Sequence, residues 1–102
     1  MSKIYLVSYD IESNRLRTKF AKKLLALGLS RIQYSLFMGN LSATLYDKML
    51  EMIHQFWESA ETEKDRIDVI TLTPTQIEQM IRLGGEHLDM DYITGQKHTL
   101  II

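Results

Sequence analysis

The chain has 102 residues, with 12 Lys plus Arg against 13 Asp plus Glu, a formal net charge of −1, 45% hydrophobic and 25% charged residues. That balance excludes a collagen, a long disordered tail and a strongly basic nucleic-acid peptide. Cysteine is absent, which excludes disulfide scaffolds, thiolate zinc sites and Cys nucleophiles.

One domain is expected over residues 1–102, with a core at about 1–83 and a C-terminal segment at about 84–102. A chain of this size buries roughly two thirds of the surface it exposes when unfolded. The N-terminus carries Lys3 ahead of only four apolar residues. It is neither a signal peptide nor a membrane span, so a cytoplasmic, membrane-free protein is expected.

The near-zero net charge hides a split. Residues 1–33 hold seven basic groups (Lys3, Arg15, Arg17, Lys19, Lys22, Lys23, Arg31) and two acids (Asp10, Glu12). Residues 34–102 hold five basic and eleven acidic groups. Such asymmetry suits a polyanion on one surface and a different partner on the other; two solvated helix faces that differ in sign would read the same way.

In chain order, residues 3–9 (KIYLVSY) read as a strand, apolar on both faces. Residues 13–28 read as a helix capped by Ser13 or Asn14 and stopped by Gly28. Its core stripe is Leu16, Phe20, Leu24 and Leu27. Arg15, Lys19 and Lys22 lie opposite, with Arg17 on the flank. Residues 31–38 (RIQYSLFM) read as a second strand ended by Gly39-Asn40. Its side carrying Arg31, Gln33, Ser35 and Phe37 suits a partly wetted interface. Ser42 is the expected cap of a helix over 43–59 with Leu45, Met49, Met52, Ile53 and Phe56 inside. Residues 66–73 read as a third strand, and Pro74 opens a short helix to about 83. Residues 87–94 read as a further strand, and 99–102 as a last one.

Two helices on one face of an antiparallel sheet make a ferredoxin-like α+β sandwich, β-α-β-β-α-β. The other sheet face would then be bare, and a homodimer through it is the economical solution. The C-terminal HTLII could add to a partner's sheet edge.

Asp10 is the leading chemical candidate, a carboxylate at the end of a buried strand. It suits a hard cation such as Mg²⁺, with one ion shared by the two copies of a dimer; on position alone, a cap on the turn that follows is the more ordinary use of such a residue. Arg15, Arg17, Lys19, Lys22 and Lys23 could form a phosphate-binding face or an ordinary solvated one. His54, His87 and His98 show no metal spacing and read as surface residues.

The strand ending Tyr9-Asp10, the helix with Arg15 and Arg17, Gly28, the run RIQYSLFMG from Arg31 to Gly39, and DRIDVI at 65–70 together resemble the CRISPR-associated endoribonuclease family, the small partners of the spacer-acquisition integrase. The resemblance covers about residues 1–73. It implies a ferredoxin-like homodimer whose last strand crosses to the partner. Asp10 would be the catalytic and metal-binding residue, sharing Mg²⁺ with its copy. Arg15, Arg17 and Arg31 would contact nucleic acid, and Ser35 and Phe37 would line the dimer-proximal sheet face; the basic helix adds Lys19 and Lys22 to the expected contacts, and the end of the first strand adds Tyr9 to that face. The implied roles are bridging integrase dimers on protospacer duplex DNA and metal-dependent cleavage of single-stranded RNA or duplex DNA. A related toxin endoribonuclease of a toxin–antitoxin pair is the alternative. The chain departs from the family at Met38, where many members carry an acid, and in its acidic second half.

Overall fold

The computed structural model describes residues 2–59 and 63–95. Strand β1 (Ser2–Asp10) runs through the middle of a four-stranded sheet of order β2-β3-β1-β4, with β2 Ser30–Gln33, β3 Leu36–Ser42 and β4 Arg66–Leu72. All three pairings are antiparallel. Helices α1 (Asn14–Ala26) and α2 (Ala43–Glu58) pack on one face, giving the ferredoxin-like α+β arrangement.

Alternation along β1 sorts the core. Tyr5, Val7 and Tyr9 point toward the helices and join Leu16, Phe20, Leu24, Phe37, Leu41 and Met49. Ile4 and Leu6 point the other way and join Ile32 and Met38. The helix-side core is strongly aromatic. Phe20 meets Tyr9 edge-on at 5.0 Å between centroids and Phe56 at 5.1 Å, a geometry that adds roughly 0.5–1.5 kcal/mol per pair beyond burial.

Both long helices start where their caps dictate. The Ser13 hydroxyl accepts from Leu16 N–H at 3.3 Å, and that of Ser42 from Leu45 N–H at 3.2 Å. Each bond satisfies one of the helix's orphan donors, worth about 1 kcal/mol. Gly28 ends α1 with φ +98°, a backbone that L side chains rarely adopt.

Four expectations are corrected. Residues 31–38 are a hairpin rather than one strand, because the chain reverses at Tyr34-Ser35 between the paired Gln33 and Leu36. The reversal carries no Gly or Asn, since no described non-Gly residue has positive φ and an irregularity between Arg31 and Gln33 absorbs the register. Second, Gly39 and Asn40 end nothing. They sit inside β3 opposite Tyr5 and Ile4. A Cβ on Gly39 would lie 2.7 Å from Leu29 Cδ2 and 3.1 Å from Leu29 Cα, so the glycine admits the close approach of the α1–β2 loop.

Third, the helix after Pro74 is only α3 (Pro74–Glu78), started by a Thr73–Gln76 capping box. The chain then leaves the helix, and the Arg82 guanidinium donates to the Ile32 carbonyl on β2 at 3.1 Å. Fourth, no strand forms over 87–94. The Asp89 carboxylate accepts from Tyr92 N–H at 3.1 Å and starts a one-turn helix, α4 (Met90–Ile93), a local bond that competes with extended structure. Residues 99–102 lie outside the described residues.

The helix-free sheet face is consequently not bare. Ile77, Leu88, Met90 and Ile93 fold back onto Ile4, Leu6, Ile32 and Met38, and the Tyr92 hydroxyl donates to the Gly28 carbonyl at 3.1 Å. The cover leaves strongly apolar residues in water: Ile81 is 83% and Leu83 91% exposed.

Candidate nucleic-acid interface

The C-terminal end of β1 is where the sheet, the hairpin tip and the start of α1 meet. Tyr9 N–H donates to the Ser35 carbonyl at 3.1 Å, and the Tyr9 hydroxyl donates to the Tyr34 carbonyl at 3.2 Å. The hairpin tip is therefore strapped beside Asp10. From the opposite side, buried Asp65 accepts from Glu12 N–H at 3.0 Å and fixes the loop between β1 and α1.

Arg17 is held by the same loop. Its Nη1 donates to the Ile11 carbonyl at 3.0 Å, and its Nε is buried without a hydrogen-bond partner among the described residues. The guanidinium carbon lies 5.9 Å from the Tyr34 ring centre. Arg31 reaches the same ring at 5.4 Å and covers the Phe37 ring at 5.0 Å. All three cation–π contacts fall within the ~6 Å over which the ring's quadrupole attracts a cation. Arg15, Lys19 and Lys22 are exposed along α1. On neighbouring α2 the exposed residues include Asp47, Glu51 and Glu58, so two helices of one layer present opposite signs.

The candidate residues thus divide. Arg17 and Arg31 converge on Tyr34, while Arg15, Lys19 and Lys22 form a strip along α1. Asp10 is exposed, and by alternation with Tyr9 it belongs to the opposite, helix-free side with Ile4, Leu6 and Ser8. The expectation that Tyr9 and Phe37 line a dimer-proximal face is corrected. Both are buried beneath the helices, with ring centroids 6.1 Å apart, because a Phe opposite Val7 shares its inward direction. Ser35 is half-buried at the hairpin tip.

Among the described residues no three His, Asp, Glu or Cys side chains come together as a metal centre. Asp10 supplies one carboxylate, so a single chain offers at most half of a site for Mg²⁺. His54 and His87 are exposed, and His98 lies outside the described residues. No helix among the described residues is long and apolar enough to cross a membrane.

Sequence reasoning missed two residues of this region. Asp65 follows Glu61, Glu63 and Lys64 in a polar stretch, and nothing local singles it out for burial against a loop. Tyr34 looked like a strand residue, and nothing local marks it as a hairpin tip.

A four-stranded sheet of this order, with two helices on one face, defines a ferredoxin-like α+β domain in which one of the two helices, α1, is basic. The family model of the CRISPR associated protein Cas2 matches residues 3–80. The chain is 39% identical over 67 residues to the CRISPR-associated endoribonuclease Cas2 1 of Francisella tularensis subsp. novicida, covering 66% of this chain and 65%, just under two thirds, of that relative. It is 32% identical to the CRISPR-associated endoribonuclease Cas2 2 of Pyrobaculum aerophilum, over 78% of this chain and 84% of the relative. Among solved structures, a chain of a partial Cas6-RT-Cas1–Cas2 complex superposes with a TM-score of 0.66 at 27% identity, over 79% of this chain and 90% of that one. The chain belongs to the CRISPR associated protein Cas2 family.

Proposed function

We propose that the chain is the nucleic-acid-binding subunit of a spacer-acquisition complex, holding duplex DNA through α1 and meeting an integrase of the Cas1 type. The observation that carries this reading is the strip of Arg15, Lys19 and Lys22 on α1, continued by Arg17 and Arg31 at the sheet end. Cations in a row contact phosphates without reading sequence, which suits a protein that must accept DNA of any sequence. The Cas1–Cas2 assembly of the structural relative supports the integrase partner.

A second copy completes the account. Exposed Met80, Ile81 and Leu83 lie beside the helix-free face, and burying them against a homodimer partner removes apolar area from water at about 25 cal/mol per Å². Light scattering would report a dimer, and Ile81→Glu with Leu83→Glu would release monomers.

Charge reversal tests the main claim. Lys19→Glu with Lys22→Glu changes exposed side chains only, so the fold should persist while duplex binding at moderate salt falls at least tenfold. Unchanged binding would remove α1 from the footprint.

Cleavage is a separate reading, favoured by the position of Asp10 at the end of a core strand. Two copies of Asp10 would hold Mg²⁺, which supplies Lewis-acid stabilisation of phosphate oxygens and a more acidic water. Asp10→Ala should abolish Mg²⁺-dependent cleavage while leaving duplex binding intact; cleavage at the wild-type rate by the variant would dismiss Asp10 as catalytic.

A further inference from the structure

Tyr34 is the most exposed aromatic side chain among the described residues, 70% exposed at the tip of the β2–β3 hairpin. Buried tyrosines contribute 150–250 Å² of contact, so a ring this exposed adds little to the core. Its contacts are two guanidiniums, Arg17 at 5.9 Å and Arg31 at 5.4 Å. Neither drifts freely: Arg17 is tied to the Ile11 carbonyl, and Arg31 lies over Phe37. The Tyr34 main chain is strapped too, since its carbonyl accepts from the Tyr9 hydroxyl. The ring is therefore presented at a fixed place with two guanidiniums over part of it and most of its surface open, and ordering it on binding costs little.

Arg31 and Tyr34 also line a cleft of about 480 Å³ along β2, together with Arg82, Glu86, His87 and Asp89. The volume falls in the range of small-ligand sites, roughly 300–1,000 Å³.

A flat, exposed ring flanked by anchored cations is the arrangement that holds an unpaired base: the π-face stacks the base and the cations take the phosphates on either side. We propose that Tyr34 is a base-stacking residue, and that this end of the molecule binds an unpaired nucleotide, as in a single strand or a frayed duplex end. The inference rests on the nucleic-acid reading above and adds a residue that tells paired from unpaired strands.

The test measures binding of the purified full-length protein to three fluorescent probes of equal length: an oligothymidine, an abasic strand with the same backbone, and a blunt duplex. Wild type should prefer the oligothymidine to the abasic strand. Tyr34→Ala should lose roughly 5- to 100-fold on the oligothymidine and treat the two strands alike, with a smaller loss on the blunt duplex. Tyr34→Phe should match wild type. Only the Tyr34 carbonyl bonds to Tyr9, so the alanine variant keeps that bond, and a thermal melt checks the fold. Equal binding of the oligothymidine by wild type and Tyr34→Ala, or a phenylalanine variant as weak as alanine, overturns the stacking role. A wild type that binds duplex but shows no preference over the abasic strand overturns it while sparing the proposed function. Binding of no probe overturns both.

Discussion

The carboxylate of Asp65 and the backbone N–H of Glu12, 53 residues apart in the chain, are joined by a hydrogen bond of 3.0 Å, and Asp65 is only 6% exposed. This bond ties the start of β4 to the loop that places Asp10, caps α1 and holds Arg17. Asp65→Ala strands a shielded N–H and should cost about 1–3 kcal/mol in urea unfolding. Asp65→Asn keeps an acceptor and should cost less. Equal losses from both would show that charge rather than acceptance matters.

Gly39 makes a second structural test. Any side chain there meets the Leu29 backbone as well as its methyl, and backbone does not yield as a flexible side chain does. Gly39→Ala should destabilise by about 1–3 kcal/mol through overpacking, in a strand where Ala would otherwise be tolerated. A neutral result would mean that the α1–β2 loop gives way.

Stability at high pH follows from Tyr5. Burial first, then the neighbouring Tyr46 and Asp47, push its hydroxyl above the ordinary 10.0; its ring stacks on Tyr46 at 4.3 Å. The unfolded chain therefore gives up this proton at lower pH than the folded one. The contribution is fully present below about pH 10 and is lost as the pH rises through the raised folded-state value. Urea midpoints of wild type and Tyr5→Phe, followed from neutral pH into that window, should show the wild type losing more. Parallel curves would contradict the placement of Tyr5.

Much of this architecture is legible locally. Ser13 and Ser42 announce their helices because a hydroxyl ahead of an apolar stripe has one obvious use. The Leu16, Phe20, Leu24 stripe fixes which side of α1 is wet, and hence where Lys19 and Lys22 point. The inward direction of Phe37 is a different matter. It depends on a reversal at Tyr34-Ser35 that needs no special φ and so leaves no Gly or Asn to mark it. Residues 87–94 alternate well enough for a strand, and a single cap at Asp89 decides against it. The meeting of Arg17 and Arg31 on Tyr34 joins α1 to the hairpin, and such long-range contacts have no local signature. Asp10 is a candidate from its place at the end of β1, and that its side of the sheet is the helix-free one emerges only once α1 and α2 are packed on Tyr5, Val7 and Tyr9.

The account stands or falls on whether the α1 strip neutralises phosphates. The most direct measurement is the duplex DNA affinity of wild type and of Lys19→Glu with Lys22→Glu between about 50 and 200 mM salt. Each lost phosphate contact should flatten the slope of log affinity against log salt by about 0.9. Wild type should show a steep fall, and the double variant weaker binding with a slope shallower by up to about 1.8. Superimposable lines for the two proteins would contradict the account.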